Sequence, residues 1–187
     1  MRTNLIVIDD FYTNPNQVRN FALEQPFDVK GNYPGHRTKP HVTPATQQYI
    51  QDIVEFHTKS KISDWPDEEY NGAFQYTTQQ DRSWYHVDST TNWAGIVYLT
   101  PDAPLSGGTS FYRSKLDGTM MSNVPNNQVL KKFSQDHTKW ECVDKVGNVY
   151  NRLILFNSKR YHISDDYWGM GLHDGRLFQT FFFSTEK

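Results

Sequence analysis

The sequence predicts a mainly β protein of the α+β kind, a jelly-roll-like core preceded by two helices. Three observations carry that prediction. From about residue 70, short runs rich in Tyr, Phe, Val, Ile and Trp recur between turn-forming clusters, as in β-sandwiches and barrels. Aromatic residues make up 15% of the chain, and their flat, bulky side chains suit a pleated surface. The two clear helix-start signals both fall before residue 60.

Taken in order, residues 4–9 (Asn-Leu-Ile-Val-Ile-Asp) form a short apolar strand. Pro15 suits a first helical turn, and Val18, Phe21 and Ala22 follow at helical spacing, which places a helix over 15–24. Residues 26–42 read as irregular, since Pro34 and Gly35 mark a turn and Pro40 excludes a central strand. Thr43 and Pro44 open a second helix over 44–59, with Ile50, Ile53, Val54 and His57 as its apolar stripe. Strands follow over 71–78, 82–89, 93–100, 108–113, 138–143, 152–157 and 175–184. Between them, 114–137 is a long, lid-like loop with a short helix near 126–134. Gly107 and Gly108 read as scaffold, permitting positive φ at a tight turn into a strand.

A chain of 187 residues fits one domain, 1–187, with 1–69 as helical amino-terminal support and 70–187 as the core. The formal net charge of −2 provides no basic field for long nucleic acid. Cys142 is the single cysteine; without an internal disulfide to form, it reads as buried and inert in a reducing compartment. The opening apolar run, Leu5 to Ile8, meets Asp9 and Asp10 at once, so neither a signal peptide nor a membrane span is expected and the location is cytoplasmic. No repeat or sequence feature reports an oligomeric state.

The chemistry concentrates at His86, Val87 and Asp88, within Trp-Tyr-His-Val-Asp. Alternate strand side chains share a face, so His86 and Asp88 aim an imidazole and a carboxylate at one point. One distant histidine would complete the facial triad that leaves three metal positions open. Of the other histidines, His36 and His41 lie in the irregular segment, His57 on the helix stripe and His137 in a loop. His162 differs, because it ends the extension of the strand that begins near 151. Arg176 opens the last apolar strand; facing inward, it would need an anion, since a buried unpaired charge is costly.

In these features the chain resembles the Fe(II)- and 2-oxoglutarate-dependent dioxygenases on the double-stranded β-helix. The resemblance rests on His86-Val87-Asp88, the glycine turn from Gly107 to Tyr112, the distal His162 and Arg176, in that order. It is similar in particular to the small prolyl-hydroxylase-like and phytanoyl-type members, and the opening Ile-Asp-Asp-Phe-Tyr-Thr-Asn-Pro is like theirs too. What this implies is Fe(II) held by His86, Asp88 and His162, with 2-oxoglutarate and O2 as cosubstrates and Arg176 on the far carboxylate of 2-oxoglutarate. Many members carry Ser two residues after the arginine; here Phe178 stands there, and Ser164, Tyr76 and Tyr98 are the candidate hydroxyl partners.

The resemblance further implies hydroxylation of a prolyl or other amino-acid-type C–H bond on a small-molecule or peptidyl substrate, with release of succinate and carbon dioxide. Trp84 and Trp168 are the candidate pocket residues, with residues 163–174 as a rim loop; Trp93 reads as core, and Tyr85 and Tyr161 point away from the ligand side. Two other classes stand beside this reading. A cupin-like metalloenzyme with other chemistry would keep the histidines without needing Arg176. A non-catalytic binding module would keep the fold alone.

Overall fold

The computed structural model describes residues 3–66, 70–88 and 90–186. Residues 67–69 of the amino-terminal support and Ser89, at the end of the expected strand 82–89, lie outside the described residues. In chain order the elements are β1 (Leu5–Ile8), α1 (Pro15–Leu23), β2 (His36–Pro40), α2 (Pro44–Thr58), β3 (Ile62–Asp64), β4 (Ala73–Thr77), β5 (Trp93–Tyr98), β6 (Thr109–Ser114), α3 (Gln128–Phe133), β7 (Trp140–Val146), β8 (Leu153–Asn157), β9 (His162–Ser164) and β10 (Arg176–Thr185).

The strands make two antiparallel sheets. The larger runs β1-β8-β5-β10-β4-β2, with β3 added beside β10; the smaller runs β7-β6-β9. β10 is the long central strand, paired with β5 from Phe178 to Phe183 and with β4 from Arg176 to Gln179. Its odd positions, Leu177, Phe181 and Phe183, join Val97, Leu153, Leu155 and the helix residues Ala22, Ile50, Ile53 and Val54 in the main core. Its even positions turn to the smaller sheet. There Phe178 packs with Ala94, Tyr98, Ile154 and Phe156 against Phe111 and Val146. Two sheets facing across an apolar filling form the double-stranded β-helix of a jelly roll.

Both expected helices form where their signals lie. Pro15 stands at the start of α1. In α2 the Thr43 hydroxyl accepts from Thr46 N at 3.1 Å, and Lys59 ends the helix in the left-handed region at φ 62°. Ile50, Ile53 and Val54 are buried as the stripe requires, but His57 is exposed, so the stripe ends one turn earlier.

Four other expectations need correction. Residues 36–40 form a strand rather than irregular chain, although at the sheet edge, where Pro40 removes no needed hydrogen bond. Residues 82–88 are not a regular strand: His86 makes one antiparallel bridge, to His162, and its neighbours bond elsewhere, Tyr85 N to Ser134 O and Asp88 N to Ser158 O. The strand from 151 stops at Asn157, where Asn157 Oδ1 accepts from Lys159 N in a turn, so His162 opens a new strand in the other sheet. Cys142 is exposed, because β7 is the outer edge of the smaller sheet.

Among the described residues, no helix is long and apolar enough to cross a membrane.

Candidate metal centre and anion pocket

Backbone pairing brings the triad together. His86 N donates to His162 O and His162 N to His86 O, both at 3.0 Å, which sets the two imidazoles side by side with ring centroids 4.2 Å apart. Asp88, two residues on, lies on the same side. Its Oδ1 is 3.9 Å from His86 Nε2 and its Oδ2 is 3.6 Å from His162 Nε2. One ligand atom from each residue lies within 4.8 Å of the others.

The histidines are held for ligation by the backbone behind them. His86 Nδ1 bonds Trp84 O at 2.8 Å, and His162 Nδ1 bonds Arg160 O at 2.9 Å. A carbonyl only accepts, so each Nδ1 carries a proton, and in the neutral imidazole this tautomer leaves the Nε2 lone pair for a cation. Burial and the neighbouring His86 push His162 down to about 4, so its imidazole is neutral at physiological pH, as a metal ligand must be. Arg160 is itself fixed, with its guanidinium 4.3 Å over the Phe111 ring and paired to Asp144. Arg160 escaped the sequence reading because an arginine two residues before a ligand carries no signal of its own. A compact set of two imidazoles and one carboxylate fits a divalent transition metal.

The triad opens on a cavity of about 490 Å³ between the sheets. Its walls include Ala94, Ile96, Phe156, Phe178, Thr180 and Phe182, with Trp84 beside the triad and Pro125 and Asn126 contributed by the long 114–137 loop. Tyr85 and Tyr161 are buried on the other side of the smaller sheet with Trp140, and Trp93 is core, stacked on Phe183. Trp168 is not among the cavity residues, and neither is the rest of 165–174. The Trp168 ring lies against Gly107, and Asp174 closes its own turn by accepting from Met170 N and Gly171 N.

Arg176 is fully buried behind this cavity. Its Nε donates to Gly107 O at 2.8 Å and its Nη2 to Gly108 O at 3.3 Å, while its Nη1 has no partner. The guanidinium carbon sits 4.4 Å from the Phe178 ring and 5.2 Å from the Tyr98 ring. A buried guanidinium with an idle N–H suits an incoming carboxylate. Of the candidate hydroxyls, Tyr98 stands beside Arg176 and bonds Thr109 Oγ1 at 2.8 Å, and Ser164, paired in register with Thr109, lines the cavity. Tyr76 does not take part. It pairs in register with Leu177, on the opposite face, and packs on Phe27 and His36. Thr109 was missed because threonine in a strand reads as β propensity.

The two glycines are scaffold for a reason other than positive φ, which neither adopts. A Cβ on Gly108 would lie 1.9 Å from Val146 O, and one on Gly107 2.0 Å from the Trp168 ring. Close approach is what their carbonyls need in order to reach Arg176. Gly108→Ala is therefore expected to cost about 3 kcal/mol, lowering Tm by roughly 6–12 °C for a chain of this length. A melt of the purified variant checks this, and an unchanged Tm would mean the turn can shift.

This double-stranded β-helix is a fold shared with solved structures that hold a metal and 2-oxoglutarate. The chain belongs to the family DUF6445, described as a family of unknown function, whose model matches residues 1–183. No curated protein matches the chain. Among solved structures it is similar to HygX from Streptomyces hygroscopicus with nickel, 2-oxoglutarate and hygromycin B bound, at TM-score 0.62 and 13% identity, covering 95% of this chain and 82% of that one. HygX with iron bound matches at TM-score 0.57, 12% identity, and 95% and 81% coverage. A prolyl hydroxylase from Trichoplax adhaerens, in complex with a hypoxia inducible factor peptide fragment, matches at TM-score 0.51, 12% identity, and 96% and 83% coverage.

Proposed function

We propose that residues 1–187 work as one Fe(II)- and 2-oxoglutarate-dependent oxygenase domain that hydroxylates a prolyl or other amino-acid-type C–H bond. The observation that carries this reading is the convergence of His86, Asp88 and His162 on one point of an open cavity, with both Nε2 atoms turned toward the Asp88 carboxylate. The unpartnered Nη1 of buried Arg176 supports it, because a cupin-like metal site would have no use for that charge.

When bound, the metal and cosubstrate supply the oxidising chemistry, in which a C–H bond, dioxygen and 2-oxoglutarate become an alcohol, succinate and carbon dioxide. The chain's own residues do the rest. His86, Asp88 and His162 hold the cation on one face, leaving the cavity side open. Arg176 takes the far carboxylate of 2-oxoglutarate, with the Tyr98 and Thr109 hydroxyls beside it and Ser164, in register with Thr109, on the cavity wall. Ala94, Ile96, Phe156, Phe178 and Phe182 keep bulk water from the reacting bond, and Trp84 orients the substrate at the mouth.

The neighbours named above hold a small molecule in one case and a peptide in the other, and both substrate types suit a cavity of about 490 Å³. A net charge of −2 argues against long nucleic acid, and an exposed unpaired cysteine suits the reducing cytoplasm. The test is anaerobic addition of Fe(II) and then 2-oxoglutarate, which should give a weak visible charge-transfer band. Succinate release on admitting air then separates an oxygenase from a binding module. Absence of the band with folded protein would end this reading.

A further inference from the structure

A different arginine lines the cavity itself. Arg37, on edge strand β2, lines it together with Gln75, Asp88 and the rings of Tyr33 and Tyr70, and is only 7% exposed. Register with Gln75 on β4 turns it inward, to the same side as Phe178 and the triad. The guanidinium carbon lies 3.8 Å from the Tyr33 ring centroid and 4.8 Å from that of Tyr70. Both its Nε and Nη2 go to one neutral acceptor, Gln75 Oε1, and Gln75 is itself fixed by donating from Nε2 to Pro34 O at 2.6 Å.

No carboxylate among the described residues forms an ion pair with Arg37. Burial pushes it down to about 10, which still leaves it charged at neutral pH. Asp88 is the carboxylate whose field reaches it, and Asp88 is committed to the metal. Two aromatic faces and one amide offset only part of the desolvation of a guanidinium. As plain packing at a strand edge, a charge here is a poor choice, since an apolar side chain would fill the space without that cost. As a recognition group it is well chosen. A planar fork fixed by stacking loses little freedom when an anion arrives, and it reads a carboxylate by geometry.

We propose that Arg37 is a second anion site in this cavity, that it takes the carboxylate of the substrate, and that the substrate is therefore an amino-acid-type compound with a free carboxylate rather than an internal peptide residue. This rests on the oxygenase reading above. It divides the two arginines by task, with Arg176 in the dry interior for the cosubstrate and Arg37 near the mouth for the substrate.

The test uses protein loaded anaerobically with Ni(II) and 2-oxoglutarate, whose binding is measured first. Free amino acids, N-acetyl amino acids and the matching amides of each are then titrated while protein fluorescence is followed, since Trp84 lines the cavity. At least one acid should bind saturably and at least tenfold more tightly than its own amide. Whether free or N-acetylated acids bind distinguishes a free molecule from a chain end. Arg37→Gln should weaken that acid at least tenfold and leave 2-oxoglutarate affinity within twofold. Arg37→Lys keeps the charge and loses the fork, so the acid should bind with intermediate affinity, and melts verify that both variants fold. The proposal fails if no acid outbinds its amide, if Arg37→Gln binds the acid as the parent does, or if Arg37→Gln loses 2-oxoglutarate instead. Loss of 2-oxoglutarate binding in the parent protein would remove the oxygenase reading and this proposal with it.

Discussion

Asp88→Ala should abolish the Fe(II) and 2-oxoglutarate charge-transfer band and reduce Fe(II) or Ni(II) affinity by more than about 100-fold. Changes to groups that merely orient a metal ligand already cost 10–100-fold, and Asp88 is itself the anionic ligand in a set of three. With two neutral imidazoles left, the site also loses its negative charge. The fold should survive the change, because Asp88 contributes a carboxylate at the cavity wall and the backbone bond from its N to Ser158 O is kept. Isothermal titration with Ni(II), alongside a thermal melt, separates the two effects. Metal affinity within tenfold of the parent would mean that the cation, if bound, sits elsewhere. Asp88→Glu makes a useful second variant, since it keeps the charge but shifts its position by one methylene.

The second large effect belongs to Arg176→Gln. Truncating one partner of a buried, hydrogen-bonded charge pair typically costs 2–5 kcal/mol, which is roughly a 30- to several-thousand-fold loss of affinity. That loss should fall on 2-oxoglutarate and not on the metal, because Arg176 is not one of the three converging ligands. Part of the magnitude comes from the setting. Arg176 is fully buried, and two of its N–H groups are already fixed by Gly107 O and Gly108 O, so Nη1 is held ready without further ordering. Tyr98→Phe should act in the same direction but less strongly, as it removes one neutral hydroxyl beside the guanidinium. If Arg176→Gln binds 2-oxoglutarate within threefold of the parent, the carboxylate of the cosubstrate is held by another group.

Much of the fold can be read locally. Proline at a helix start, the Ile50, Ile53 and Val54 stripe, and short aromatic runs between turns are each decided within a few residues, and α1, α2, α3 and most strands appear where they point. The His86 and Asp88 pairing is legible for the same reason, since strand alternation needs only a spacing of two. Arg176 is legible as an outlier, a guanidinium opening an otherwise apolar strand, and His162 by its place at the end of the segment that continues the 152–157 strand. The strand assigned to 82–89 overreached, because a lone bridge to a three-residue partner leaves its neighbours to bond elsewhere.

By itself, the sequence determined which residues share a side within one stretch of chain: His86 with Asp88, and Arg176 with Phe178. Which side is the inside was decided only by the tertiary structure, when the smaller sheet packed over the even positions of β10 and the helices packed over the odd ones. That choice sends Tyr76 to the helix side and keeps Tyr98 beside Arg176. It also leaves Trp168 against Gly107 and turns Arg37 from an unremarked residue of a segment read as irregular into a cavity charge. Alternation is a property of one strand and needs no partner. Inside and outside are properties of two packed sheets, and no short stretch of sequence contains both.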